Sequence, residues 1–522
     1  MKRRVILILT FLLFATVTLS ACNDKSQADS ESVSQAEEKE DIASMSAAEL
    51  DDGAIYRIKI LSEEEKYEKG SLTADKFALE DNSFVKVEIW GKHLSQMWRA
   101  HKNDDGTYSF ENMATGMYLS TRNPDNFKKE KKISVCLDGT NDTAKKWNIY
   151  SSDGTLDSCI IENDLSSCVV EGSYVKVSDI VYAQQEQFDG KITQKWSFNK
   201  VSDGNGEYPR ILVLKGDYVG SSSCPEILYY NGVYYNYNMT GPITLKTSTD
   251  LINWKLEGSA LGTKPSWLSS VSGGDAIWAP GAYKIGDKYY LYYCTSSSGS
   301  QNSAIGVAVT TDPSKNDWQD LGMVIRSYDK QSQYNCIDPN VFIDDDGTPY
   351  LVWGSYWEGI FMRKIDANTG KLDESDTTMY HLAKGNSDME APYLIKHGDY
   401  YYLFTARGGL KKGTYYWAVG RSKTLTGPYV DDKGKSLLEG GGTRLTEWKD
   451  SIKGVAHAQY FEDANGQAYM VSESWTERQS EYVPNSKNSS VHLHISTIVW
   501  TDEGWPVTAL DKDVLSALGS KS

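Results

Sequence analysis

"DPNVFIDDDGTPYLVW", residues 338 to 353, reads as two strands rich in aromatic and β-branched residues joined by an Asp-Gly turn at Asp346 and Gly347. The same layout recurs four times, as "CPEILYYNGVYYNYN" from Cys224, "APGAYKIGDKYYLYY" from Ala279, "APYLIKHGDYYYLF" from Ala391 and "HAQYFEDANGQAYMV" from His457. The starts follow one another at intervals of 53 to 66 residues, each wide enough for four short strands and their turns. A β-sandwich has no need of such regular spacing. Five units of this size predict a five-bladed β-propeller over residues 204–515, with the first strand of every blade facing a central channel.

Composition agrees with an all-β chain. The 522 residues include 43 Gly and 34 Tyr and are 40% hydrophobic, which suits short strands and tight turns. The formal charge of -17 argues against nucleic acid as a partner, because phosphate binding needs a positive stripe. A neutral ligand is expected.

The first strands bring distant residues to one pocket: Cys224, the Ile277-Trp278-Ala279 stretch, Asp338, Glu390 and His457. Two carboxylates, an indole and a histidine across a narrow ring suit glycoside cleavage. One acid protonates the leaving oxygen, another group activates water, and the aromatic face stacks on a sugar. Each residue alone has a plainer reading, since an Asp-Pro step often only starts a strand and a single histidine is usually structural. Their common register is what gives them weight.

Ahead of this region, "SQMWRAHKNDDGTYSF", "AKKWNIYSSDGT" and "TQKWSFNKVSDGNGEY" place Trp98, Trp147 and Trp196 49 residues apart. A triple repeat of strand and turn predicts a pseudo-threefold β domain over residues 54–203. It resembles the ricin-type β-trefoil with its Gln-x-Trp motif, matched at Gln96 and Gln194 and departed from at Lys145. The resemblance implies a carbohydrate-binding-like domain, although in that family these Gln and Trp residues are mostly core. With a repeat of its own, each region is expected to fold independently.

The amino terminus has Lys2-Arg3-Arg4, an apolar run from Val5 to Leu19, and Leu19-Ser20-Ala21-Cys22. This is the pattern of a signal peptide, and it resembles a bacterial lipobox in which Cys22 is lipidated. Residues 1–22 are therefore expected to be a lipoprotein signal and residues 23–53 a disordered linker, poor in apolar residues. The protein is expected outside the cytoplasm as a monomer, touching the membrane only through the lipid. Export permits disulfides, and Cys159 and Cys168 are a possible pair.

Four stretches carry a family resemblance: 277–293, 334–360, 390–404 and 419–443. They closely resemble glycoside hydrolase family 43, in particular its endo-α-1,5-L-arabinanases, whose fold is the five-bladed propeller and whose mechanism inverts the anomeric carbon. The resemblance implies that Glu390 is the general acid and that Asp338 tunes its pKa and orients it. It implies that His457 holds calcium or another metal ion in the channel. Trp278 is the indole of the pocket, while Asn335, Ser355, Tyr356 and Trp357 match sugar-subsite segments. The departure is at Cys224-Pro225, where the family has Asp-Pro and the aspartate is the general base. A thiol beside two carboxylates is a poor base. Glu226 and Asp275 are possible substitutes, and Gly281 is a further change from an aspartate. Three readings stay open: an arabinan hydrolase with a substitute base, a surface-tethered glycan-binding protein with an impaired propeller, and an exo-acting galactan or xylan hydrolase.

Overall fold

The computed structural model describes residues 40–63, 69–74, 83–121, 131, 133–136, 142–175, 180–218, 222–239, 241–274, 276–385, 388–409, 414–447, 452–476 and 491–519. Cys22 and Asp275 lie outside them.

Five antiparallel sheets form the carboxy-terminal part, and their first strands are Glu226–Tyr230, Trp278–Ile285, Asn340–Ile343, Met389–His397 and Ile452–Glu462. Each first strand touches the next, and the fifth touches the first, so the five blades close into a ring around a channel. The hairpin turns are those the sequence demands. Tyr230 pairs with Val233 across Asn231 and Gly232, both left-handed, which matches the right-handed strand twist. Residues 210–218 tie the last blade to the first. Ile211 bridges Ser496 on blade 5, Leu212 donates to the Ile495 carbonyl at 2.8 Å, and Lys215–Gly216 then pairs with Asn253 and Trp254 on blade 1. The propeller expectation is met.

The amino-terminal part repeats one detail three times. Trp98, Trp147 and Trp196 are fully buried, and their indole N–H groups donate to the carbonyls of Leu72, Leu119 and Val170 at 2.9, 3.1 and 2.8 Å. Gln96 and Gln194 each donate to a carbonyl seven residues earlier, at Ile89 and Gln187. Lys145, in the middle repeat, lies over the Tyr118 ring instead. All three tryptophans belong to one apolar core, as buried strand residues with satisfied N–H groups must.

Two expectations need correction, and a third meets a contact that bears on it. The linker was expected to run to residue 53, but Ser46–Ala47 pairs with Tyr150 and Ser151, and Ala48 and Leu50 are in the core, because the short apolar run after the acidic stretch has a face to bury. The two parts, expected to fold independently, are also in contact. Ile55, Leu94, Met97, Met113 and Ala114 share an apolar cluster with Phe404, Trp417, Tyr460 and Met470 of blades 4 and 5. Finally, Cys159 and Cys168 are both free and buried, each within its own strand region of the core.

Candidate active site

A backbone feature sets the channel geometry. Cys224, Ala279, Asp338, Ala391 and His457, one per blade at the same register, all have left-handed backbones with φ between 37° and 57°. The first four precede proline, which makes the conformation costlier still. Left-handed backbone costs an L-residue about 1–2 kcal/mol. Fivefold repetition means the strain is imposed by the turn of each blade into the channel. These residues, with Glu226, Asn340, Tyr393 and Gln459 just inside them, close the channel around a cavity of about 30 Å³. It has room for one or two waters.

One residue earlier on each strand the channel opens. Trp278 and Glu390 occupy that outer level and line a cleft of about 830 Å³, together with Asn335, Ser355, Tyr356 and Trp357. Thus the residues expected to bind sugar share one surface with the expected acid. Tyr356 and Trp357 are themselves left-handed, with φ of 54° and 38°, and the Tyr356 N–H donates to the Met389 carbonyl at 2.7 Å. Strain of this kind is retained where it presents side chains to a ligand.

Glu390 is held by two donors: the Tyr415 hydroxyl at 2.6 Å to Oε1 and the Ser355 hydroxyl at 2.8 Å to Oε2. Burial pushes its carboxyl above the ordinary range, against the pull of both hydrogen bonds. The shift favours the protonated form, the one a general acid needs. Asp338 lies below, on the closed cavity, and accepts the N–H of Ala391, the residue after Glu390, at 3.1 Å. That bond fixes the backbone carrying the acid. Burial, then the Glu390 charge, also pushes Asp338 well up, so the two titrate as a pair and Asp338 is not simply an ionised neighbour.

Cys224 is no base. Burial, and next the Glu473 charge, push its thiol well up. Its Sγ is 3.4 Å from His457 Nδ1, but burial lowers that imidazole to about 4, so neither half of a thiolate–imidazolium nucleophile is favoured. Glu226, the expected substitute, is misplaced for the task. It points into the closed cavity below Cys224, not into the cleft. Two residues along a strand is one full period, so the same face of the strand reaches a deeper level of the channel. There Glu226 fills the space left by Gly281, where an added Cβ would come within 2.3 Å of Glu226 Oε2.

Two functional neighbours had no sequence signal. Tyr415 immediately precedes the third strand of blade 4, Tyr416–Ser422, and belongs to no motif. Glu473, buried on the second strand of blade 5, accepts the Cys224 N–H at 3.1 Å and a hydrogen bond from the Ser223 side chain. Burial raises its carboxyl to about 7. Only cross-blade packing brings it to Cys224.

Among the described residues no three His, Cys, Asp or Glu side chains converge as a metal centre. His457 does share its cavity with Glu226, whose buried Oε1 has no hydrogen-bond partner. A cation there would take those two groups and the one or two waters the cavity has room for. The orphaned oxygen makes the fit.

Residues 218–506 match Glycosyl hydrolases family 43. The chain is 35% identical over 289 residues to an extracellular exo-α-(1→5)-L-arabinofuranosidase of Cellvibrio japonicus, covering 51% of this chain and 80% of the relative. It is 42% identical over 212 residues to an extracellular endo-α-(1→5)-L-arabinanase of Bacillus subtilis, covering 40% and 65%. Among solved structures, a family 43 endo-arabinanase from Bacillus licheniformis superposes with a TM-score of 0.51 at 34% identity, over 56% of this chain and 99% of that one. The α-L-arabinanase of Cellvibrio cellulosa gives 0.52 at 31%, over 58% and 98%.

Proposed function

Since the chain belongs to Glycosyl hydrolases family 43 and is a glycosidase, we propose that it cleaves α-1,5-linked L-arabinan within the chain and with inversion. The observation that carries this reading is Glu390, its carboxyl pushed toward the neutral form by burial and held by Ser355 and Tyr415 in the cleft lined by Trp278, Tyr356 and Trp357. Aromatic faces pack on the apolar face of a sugar ring, and a few polar groups set its orientation. Relatives named for both exo and endo action on α-1,5-arabinan support the linkage. The cleft draws residues from blades 2, 3 and 4, which favours a chain lying across the propeller and hence internal cleavage. Glu390 gives its proton to the leaving glycosidic oxygen, while Asp338 positions it through the Ala391 amide.

In the same reading, His457 and Glu226 would hold a calcium-like cation, which when bound would add positive charge beneath the carboxylates. Residues 54–203 would be a ricin-type β-trefoil that keeps the enzyme on its glycan. Cys22 would tether a monomeric protein by lipid outside the cytoplasm. Cys224 favours one competing reading, a tethered glycan-binding protein with little turnover.

The test is linear α-1,5-arabinan, followed by reducing-sugar release and product sizing. Oligosaccharides of several lengths are expected early, and Glu390→Gln is expected to lower release at least 100-fold while affinity in a polysaccharide-containing native gel stays nearly unchanged. Residual activity within tenfold removes Glu390 from the mechanism. Single arabinose units alone would indicate exo action, and retention in the gel without any release would indicate the glycan-binding protein.

A further inference from the structure

Inversion needs a second carboxylate on the far side of the scissile bond from the acid, separated by enough room for a water. The described carboxylates near the cleft can be taken in turn. Asp338 lies on the closed cavity and holds the Ala391 amide. Asp388 pairs with the buried Arg407 at 3.3 Å. Glu226 is below the ring, packed into the space at Gly281. Glu473 remains.

Its position follows from the blade register. Glu473 pairs across the strands with Ala456, and Ala456 immediately precedes His457 just as Glu390 immediately precedes Ala391. Ala456 is therefore the blade 5 counterpart of Glu390, at the same outer level, and it packs against Ala391, Ala406 and Tyr415, the tyrosine that holds the acid. Glu473 Oε2 reaches across the junction with blade 1 and accepts the N–H of Cys224 at 3.1 Å, with the Ser223 side chain as a second donor. Its carboxylate thus lies against the backbone of Cys224, the residue at which the family resemblance puts a base, and Glu390 is close enough for its charge to be felt there.

We propose that Glu473 is the general base of this enzyme, supplying from blade 5 the carboxylate that Cys224 does not supply from blade 1. The assignment rests on the hydrolytic reading above. One Glu473 oxygen takes a proton from water as the water oxygen bonds to the anomeric carbon. The glycosidic C–O bond breaks, its electron pair leaves on the oxygen, and that oxygen takes the Glu390 proton. Glu473 ends protonated and Glu390 ionised, and one proton passes back through solvent. Cys224 and Ser223 hold the base by their donors.

The test uses the full chain on linear arabinan. Glu473→Gln is expected to lower kcat by about 10² to 10⁴ with polysaccharide affinity within twofold of the parent. Two further variants separate chemistry from packing. Sodium formate should restore turnover to Glu473→Gly and do nothing for Glu390→Gln, since a small carboxylate can occupy the emptied base position. Glu473→Gln combined with Cys224→Asp should regain at least tenfold over Glu473→Gln alone. If Glu473→Gln stays within tenfold of an active parent while Glu390→Gln is dead, the base assignment falls and the hydrolytic reading stands. Loss that neither formate nor Cys224→Asp recovers also overturns the assignment. A parent that releases no sugar at all overturns both.

Discussion

The proton on Glu390 is set by opposing effects a few ångströms apart. Burial favours the neutral acid, while the Tyr415 and Ser355 hydroxyls, as donors, favour the carboxylate. Tyr415→Phe removes one donor and little volume, so the Glu390 pKa should rise further. A general acid works only while protonated, and activity falls as pH rises through its pKa. The alkaline limb of kcat should therefore move to higher pH in Tyr415→Phe, with a drop in kcat of about tenfold from looser aim. A limb that stays put or moves to lower pH would show that Tyr415 does not tune the acid. Glu473 offers a second check through stability. Its folded pKa of about 7 lies above the ordinary carboxyl value of 4.5, so its stabilising share is present in acid and is lost as pH rises through 7. Glu473→Gln should gain in Tm relative to the parent on going from pH 5 to pH 8.

Within the first strands, successive inward-facing levels have different duties. The outer level offers Trp278 and Glu390 to the cleft, the left-handed ring closes it, and the level below is packed by Glu226, Tyr393 and Gln459 around Gly281. Gln459 joins blades by accepting the Ile227 N–H at 2.6 Å and donating to the Ile227 carbonyl at 2.9 Å. A side chain at Gly281 would meet Glu226 Oε2 at 2.3 Å and the Tyr283 hydroxyl at 2.7 Å. Gly281→Asp, which puts back the residue type the family resemblance expects, should therefore destabilise the protein by about 1–3 kcal/mol through overpacking and a second buried carboxyl. Adding Glu226→Ala should recover much of that loss. Thermal melts of the two variants measure it, and a Gly281→Asp protein as stable as the parent would mean that the two positions do not compete for one space.

At the scale of the whole molecule, the amino-terminal domain and the propeller share apolar surface. Ile55, Leu94 and Met97 cluster with Phe404, Trp417 and Met470, and Lys92 pairs with Asp513 at 2.6 Å while Arg210 pairs with Glu111 at 2.7 Å. Burial of each large apolar side chain is worth about 1.5–3 kcal/mol, far more than a solvent-facing ion pair such as Lys92 with Asp513. A chain beginning at residue 205 should keep the cleft but melt at least about 5 °C below the full protein. An equal Tm would show that the shared cluster adds nothing to propeller stability.

Sequence alone determined the periodic features of this protein. Hairpins at Cys224, Ala279, Asp338, Ala391 and His457 gave five blades because turn chemistry and strand patterning act locally, and tryptophans at a fixed period marked the amino-terminal repeat for the same reason. Of the cleft residues, Glu390 was legible because it stands one place before the start of the fourth hairpin, and Ser355, Tyr356 and Trp357 because they fall in a stretch that resembles the family. The roles of Glu226 and Glu473 were not legible. Each depends on which level of the channel a side chain reaches and which neighbouring blade it meets, at Gly281 for one and Ser223 and Cys224 for the other. Those meetings join residues far apart in the chain, at blade junctions that no local pattern encodes, so only ring closure decided where the carboxylates stand.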